Sequence, residues 1–341
     1  MKSLALALTV LLAGAIAQAK PPSKETLATR FAVTNLGTPG DRVALSPQGA
    51  VAVGFALKPG YVRTPDGKKT PLQEGFLPWA ITSKGAIGGQ LSNRAAVIKN
   101  GQVDILFPDQ AVTGQTTVVG LADTSPLIVF GRGTESPQGV SWSLSLFQQE
   151  KELEDTPSAM ADDGGYLTDN SASPERVLPG GKRQKLVGLE GQDWTHATHI
   201  ARGGLACGYT ESSGPGYVNA VWWDIKGGIH RLSAPAYKGK DSARNWYGSR
   251  AHRINARGDV LGTATLEAKW PVGVRATFCY KATDLEILLP KSGKPIILDE
   301  LFVRGSYGRL VTVEGLADNG TLLVRTRGSK QERLLLLKPK K

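Results

Sequence analysis

The sequence has few of the residues on which several large classes of protein depend. It contains 2 cysteines and 4 histidines in 341 residues, which excludes a disulfide-dense scaffold and leaves few soft ligands for zinc. Methionine occurs 2 times and aromatic residues make up 7% of the chain. Glycine (41) and proline (20) are frequent instead, and they favour many turns and short strands over long helices.

Long apolar runs are also missing beyond the first nineteen residues, and no later segment approaches the roughly 20 apolar residues of a membrane helix. The N-terminus has a basic residue at Lys2, an apolar run over 4–17 and a small residue at Ala19. This arrangement is typical of a secretory signal peptide over 1–19. We therefore expect cleavage after Ala19 and secretion of 20–341 to the periplasm or the extracellular medium.

Acidic residues are outnumbered, because 41 Lys and Arg face 30 Asp and Glu and give a formal charge of +11. In an exported protein this excess of positive charge favours an anionic polysaccharide or envelope component over nucleic acid as the partner. The alternative is that the charge only keeps the protein soluble. No membrane span is expected. Cys207 and Cys279 would either form one disulfide in an oxidising compartment or remain buried free thiols.

What the chain does contain is a repeat. Each copy has an apolar residue, here called the anchor, then a few turn residues and a glycine, and then a short returning strand. The clearest copy runs over 254–262. The seven anchors are Leu45, Ile81, Leu121, Met160, Ile200, Ile254 and Leu316. They lie 36 to 62 residues apart, which brackets the roughly 40 to 50 residues of a propeller blade.

A second hairpin follows several of the anchors. It is visible at 61–72, 94–106, 176–186 and 219–232. Two hairpins make four strands, the content of one blade. The sequence therefore predicts an all-β fold with a single β-propeller over 20–341, most simply with seven blades. Degenerate third and fourth copies leave six or eight blades open, and inserts are expected near 235–253 and 290–312.

The two ends of the chain complement each other. The segment after Leu316 is too short for a whole blade, and residues 30–36 have the composition of a strand. Pairing of the N-terminal and C-terminal strands would complete the last blade and remove two exposed sheet edges. Beyond that pairing, the basic stretch 325–341 is expected to be a frayed, solvated tail.

The repeat resembles a known family. The matching residues are Ile254, Asn255, Gly258 and Gly262 in the first half and Ala220, Val221, Trp223, Gly227 and Leu232 in the second. This pattern is similar to the probable extracellular repeats of the HAF family, although the family's histidine is replaced by Asn219, Arg94 and Arg275. The resemblance implies secretion and a repeat fold, and it carries no activity.

No metal, cofactor or catalytic residue is predicted. His196 and His199 are the only close histidine pair, and residues three apart on a regular strand point to opposite faces. The acidic stretches 162–164 and 318–320 lack the ligand spacing of an EF-hand, and they coincide with the turn of the repeat.

The insert at 235–253 is the predicted ligand-binding surface, since it combines aromatic faces with cations and has one acid, Asp241. Its candidate residues are Tyr237, Lys238, Lys240, Arg244, Trp246, Tyr247 and Arg250. An ordinary solvated loop is the alternative. The function predicted from the sequence is a secreted, non-catalytic binding or scaffold protein for an acidic glycan or envelope component. A propeller hydrolase or lyase acting on polysaccharide and a structural subunit of an envelope complex remain the alternatives.

Overall fold

A computed structural model describes most of the chain after its first 25 residues. The described ranges are 26–106, 115–124, 127–133, 140–145, 148–151, 157–168, 173–213, 218–233, 246–266, 283–292, 294–302, 307–329 and 331–340. The predicted signal peptide at 1–19 and the cysteine at 279 lie outside them.

The chain forms seven four-stranded antiparallel sheets, which we number as blades 1 to 7. Helix α1 (Leu27–Arg30) and strand β1 (Phe31–Gly37) come first. Blade 1 has β2 (Arg42–Leu45), β3 (Val51–Gly54), β4 (Tyr61–Arg63) and β5 (Lys69–Pro71); blade 2 has β6 (Leu77–Ile81), β7 (Ile87–Leu91), β8 (Arg94–Lys99) and β9 (Gln102–Ile105). Blade 3 has β10 (Thr116–Ala122), β11 (Ile128–Gly133), β12 (Val140–Ser145) and β13 (Gln148–Lys151); blade 4 has β14 (Pro157–Met160), β15 (Tyr166–Thr168), β16 (Glu175–Val177) and β17 (Arg183–Lys185).

The remaining three blades follow the same order. Blade 5 has β18 (Trp194–Ile200), β19 (Ala206–Glu211), β20 (Asn219–Trp223) and β21 (Ile229–Arg231). Blade 6 has β22 (Trp246–Ile254), β23 (Val260–Leu266), β24 (Thr283–Leu289) and β25 (Ile296–Ile297), followed by helix α2 (Leu298–Phe302). Blade 7 has β26 (Arg309–Leu316), β27 (Leu322–Arg327) and β28 (Glu332–Pro339), with β1 as its fourth strand. The prediction of a seven-bladed, all-β propeller is confirmed.

The seven anchors mark the first hairpin of each blade. Each lies at the end of the first strand or one residue before it, and the second strand returns antiparallel to it. The turn glycines adopt left-handed backbone angles, for example φ +90° at Gly49 and +87° at Gly258. Glycine adopts these angles without a steric penalty, which is why the repeat keeps it there.

The ends of the chain close the ring. Strand β1 pairs antiparallel with β28, with Phe31 opposite Pro339 and Val33 opposite Leu337. The N-terminal strand thereby covers the edge that β28 would otherwise expose. The predicted closure is confirmed.

The prediction of a solvated tail over 325–341 is wrong. Residues 334–337 are four leucines with no exposed surface, in a strand that has neighbours on both sides. Leu334 and Leu336 pack toward blade 1, in a cluster with Val51. Leu335 and Leu337 pack toward blade 6, in a cluster with Leu261. A strand buried on both faces has a continuous apolar run, and that run rather than the flanking lysines determines its position.

Both helices are short. In α2, Leu298, Leu301 and Phe302 are buried against blades 6 and 7, so this part of the predicted insert at 290–312 belongs to the core. Within the described ranges, no helix has the length and apolar character needed to cross a membrane.

Shortening Leu336 tests the closure. Leu336→Ala removes a fully buried side chain between blades 7 and 1, and we expect the free energy of unfolding to fall by about 2 to 5 kcal/mol in denaturant titration. Leu57→Ala makes the same chemical change at a residue that is 90% exposed and should leave stability nearly unchanged. Equal effects of the two substitutions would contradict the role of β28 in the core.

Candidate binding site in the central channel

The innermost strands of the blades surround a central cavity of about 630 Å³. The first strands of six blades contribute the residue two places before the anchor to its wall, and β10 contributes at least Gly120 and Leu121. The cavity extends to the turns that follow the anchors, at Pro47, Asp162 and Asp318. Its volume is within the range of small-molecule sites, roughly 300 to 1,000 Å³.

The innermost strands share an irregularity that the sequence did not reveal. In blades 2 to 7 a β-bulge falls two residues before the anchor. A bulge places two residues opposite one, redirects the extra side chain and is frequent beside functional sites. The bulge positions are Trp79, Val119, Ser158, Thr198, His252 and Glu314. In blade 1 the equivalent residue is Val43, and its register is regular.

The side chains at the bulge positions differ strongly in chemistry. Trp79 is 40% exposed, and the guanidinium of Arg42 lies 4.0 Å from the centre of its ring. The Ser158 hydroxyl is buried and has no hydrogen-bond partner within the described part of the chain. The bulge residues Trp79, Ser158, Thr198, His252 and Glu314 line the cavity. The wall of the channel therefore carries aromatic, hydroxyl, imidazole and carboxylate groups at equivalent places of one repeat.

Three of these residues are held by their neighbours. The Thr198 hydroxyl donates to the carbonyl of Ala251 at 2.7 Å, which links blade 5 to blade 6. The Nε2 atom of His252 lies 2.9 Å from the hydroxyl of Thr263. The Glu314 carboxylate accepts a hydrogen bond of 2.9 Å from Arg325 Nε. These bonds fix the side chains before any ligand arrives.

The residue immediately before the anchor follows a different rule. It is small in five blades, as Ala44, Ala80, Gly120, Ala159 and Gly315. A Cβ atom on Gly315 would lie 2.8 Å from the Cβ of Leu45, the anchor of blade 1. A Cβ on Gly120 would lie 2.9 Å from the Cβ of Met160, the anchor of blade 4. The position is small because the next blade's anchor packs against it.

Blades 5 and 6 break this rule with His199 and Arg253, which both line the cavity. His199 Nδ1 accepts a hydrogen bond of 3.3 Å from the backbone N–H of Ile254. Burial lowers the pKa of His199 to about 3, and the nearby charge of Arg253 lowers it further. His199 is therefore neutral near pH 7. Burial also lowers the pKa of Arg253, while the charges of Glu314 and other neighbours oppose this effect.

The mouth of the cavity is a ring of turns joined by carboxylates. The Ser83 hydroxyl lies 2.6 Å from the carboxylates of both Asp123 and Asp162. The Asp318 carboxylate accepts a hydrogen bond of 2.7 Å from the backbone N–H of Ala256. Burial raises the pKa of Asp318, and the bond from Ala256 opposes this rise. Arg202 lies 3.7 Å from Asp162 and balances part of the negative charge.

The residues predicted in the insert are only partly described. Tyr237, Lys238, Lys240 and Arg244 lie outside the described residues. Trp246 and Tyr247 belong to β22, the innermost strand of blade 6, and their side chains are not among the described ones.

Arg250 is exposed, and its guanidinium lies 5.0 Å from the ring centre of Tyr209. His196 stacks on the same ring at 4.5 Å and contacts the Glu211 carboxylate at 3.2 Å. A cation, a phenol ring and an imidazole thus lie together where blades 5 and 6 meet.

The two close histidines have different surroundings. The bulge between Ala197 and His199 breaks the regular alternation of faces, so the rule that residues three apart point to opposite faces does not apply here. Even so, His196 contacts Glu211, whereas His199 contacts the backbone of Ile254. Among the residues that the structure describes, no group of three or more His, Cys, Asp or Glu side chains is arranged to hold a metal ion.

Cys207 is fully buried, and burial raises the pKa of its thiol to about 12. Its Sγ atom lies 3.7 Å from the Thr198 hydroxyl. Because Cys279 is not described, the state of this cysteine pair stays a prediction.

His199→Gln tests whether the imidazole is buried in its neutral form. Between about pH 3 and the unfolded pKa of about 6.5, the folded protein binds fewer protons than the unfolded one, so this contribution to stability falls as the pH falls. From pH 7 to 4.5 the unmodified protein should therefore lose roughly 2 to 3 kcal/mol more unfolding free energy than His199→Gln. Parallel curves would show that His199 titrates normally.

Solved structures with a similar fold include three propellers of different kinds. A virginiamycin B lyase from Staphylococcus aureus has 12% identity and a TM-score of 0.45, over 90% of this chain and 99% of that one. An oligogalacturonate lyase in complex with manganese has 11% identity and a TM-score of 0.49, over 91% of each chain. YCF48 bound to a D1 peptide has 9% identity and a TM-score of 0.42, over 91% and 96%. No family model and no curated protein matches the chain.

Proposed function

We propose that this propeller is an exported, non-catalytic binding protein that takes an acidic glycan or envelope component into its central channel. The proposal rests on the side chains at the bulge positions. The repeat keeps one irregularity at an equivalent place in six blades while the side chain changes from blade to blade. A repeat that conserves a backbone feature and varies its chemistry suits recognition of an asymmetric ligand.

Trp79 would supply the main contact with a sugar. A partly exposed indole offers a flat apolar face of the kind that stacks on a sugar ring. Arg42 lies against that indole, so the platform carries a positive charge beside its apolar surface. The combination favours a sugar that bears an acidic group over a neutral one.

The remaining bulge residues would orient the ligand. His252 and Glu314 are positioned by bonds to Thr263 and Arg325. A few fixed polar groups in a cavity of this size are typical of specific small-ligand sites. The excess of Lys and Arg over Asp and Glu would draw polyanions toward the protein surface.

Arg250 supports a second contact surface at the junction of blades 5 and 6. Its guanidinium lies over Tyr209, which stacks on His196. This surface and the rest of the predicted insert would extend the binding site along a polymeric ligand. Arg250→Ala should then weaken binding of long chains more than binding of short ones.

Binding to a panel of uronic-acid and sulfated polysaccharides tests the proposal. We expect the affinity for at least one acidic polymer to fall as NaCl increases, because exposed charges are screened. Trp79→Ala should weaken binding about 5- to 30-fold, since the aromatic contact contributes roughly 1 to 2 kcal/mol. Trp194→Ala removes an indole that is similarly exposed, at 42%, but does not line the cavity, and it should bind as before.

Three outcomes would contradict this assignment. Equal affinities of Trp79→Ala and Trp194→Ala would place the ligand away from the channel. Shortening of a polysaccharide by the purified protein would favour the hydrolase or lyase alternative, and copurification of fixed partners without glycan binding would favour a subunit of an envelope complex.

Export is part of the proposal and has its own test. The basic, apolar and small residues of 1–19 and the resemblance to HAF repeats both support it. Expression of the full chain in a bacterial host should give a product outside the cytoplasm whose N-terminal residue is Lys20. Recovery of the uncleaved chain from the cytoplasm would contradict export.

A further inference from the structure

Arg253 is a half-buried cation for which the described residues provide no hydrogen-bond or ion-pair partner. It lines the cavity, and within the described part of the chain its guanidinium makes no hydrogen bond and no ion pair. The nearest negative charges that act on it are those of Glu314 and Glu286, at longer range. Glu314 already accepts a hydrogen bond from Arg325. An arginine carries five N–H donors, and leaving them unpaired in a partly buried site is costly.

His199 adds a second unpaired donor next to it. Its Nδ1 atom accepts from the Ile254 N–H, so the proton of the neutral imidazole is on Nε2. Nε2 has no partner among the described residues, and His199 also borders the cavity. The two side chains are close enough for the charge of Arg253 to act on the imidazole.

A comparison of the seven blades indicates that the fold does not require histidine or arginine at this position. Five blades place Ala or Gly at the same position, because the next blade's anchor packs there. The fold therefore requires only a small residue. Histidine and arginine occupy this position in two adjacent blades, where both face one cavity.

We infer that Arg253 and His199 form an oxyanion-binding subsite in the channel wall, which takes one carboxylate or sulfate group of the ligand. The planar guanidinium would bind two oxygens of the group in parallel, and the imidazole N–H would donate a further hydrogen bond. The subsite defines the chemical group that the channel selects. The identity of its biological ligand rests on the proposed function.

Small anions test the subsite separately from the polymer. Calorimetric titration of the mature protein with sodium glucuronate and with sodium sulfate, at constant ionic strength, should show saturable binding of at least one, and glucose should not bind. Tighter binding of glucuronate would identify a carboxylate as the preferred group, and tighter binding of sulfate would identify a sulfate ester. If neither anion binds, the inference is overturned.

Variants that restore the small residue of the repeat give the decisive comparison. Arg253→Ala should weaken anion binding about tenfold or more, because a charge-assisted pair is lost, while its melting temperature stays equal to or above that of the unmodified protein. His199→Ala should weaken binding by a smaller factor. Arg327→Ala removes an exposed arginine outside the cavity wall, one that pairs with Glu332, and should change binding little.

The outcomes distinguish failure of the oxyanion subsite from failure of the proposed glycan function. Unchanged anion binding by Arg253→Ala, or an equal loss in Arg327→Ala, would overturn the subsite. A loss confined to Arg253→Ala and His199→Ala would support it even if no acidic polymer binds, in which case the proposed glycan function alone would fail. Retained polymer binding by Trp79→Ala would likewise count against the glycan proposal and leave the subsite intact.

Discussion

The hydrogen-bonded pairing of β1 with β28 is the constraint on which the rest of the structure depends. Each blade buries two faces, one against each neighbour, as Leu334 and Leu335 show by packing in opposite directions from one strand. An open array would expose one such face at each end. Closure buries both faces and also fixes the circumference of the ring, and thereby the size of the channel.

Within that ring, the residue before each anchor sets how closely neighbouring blades approach. Glycine and alanine allow the next anchor to pack against the strand, as the contacts beside Gly120 and Gly315 show. Once the spacing is set by five such positions, the other two can carry larger polar side chains. His199 and Arg253 occupy these two positions, so the channel wall carries an imidazole and a guanidinium while the fold is retained.

Much of the fold could be predicted from the sequence because the turns require particular residues. Anchors such as Ile254 precede a turn glycine with left-handed angles, and this local requirement survives in every copy but the third. Closure followed from the length left after Leu316. The prediction of a solvated tail is wrong because the four buried leucines of residues 334–337, and not the lysines that follow them, determine where this strand lies.

The site was harder to predict. A bulge depends on the register between two strands, which the sequence does not display, so the positions of Trp79 and His252 in one ring were not visible. The signal at His199 and Arg253 was available: aligning the seven copies on their anchors places both beside Ala44, Ala80 and Gly315. The aromatic and basic composition of the insert at 235–253 predicts a binding surface in that loop and gives no indication of the channel.

The most direct measurement of the central claim is a crystal structure of the mature protein with an oligosaccharide that contains glucuronic acid. We expect density for the sugar inside the channel, with one ring against Trp79 and one carboxylate within hydrogen-bond distance of Arg253. Well-ordered sugar bound only on the outer surface of the blades, with an empty channel, would contradict it.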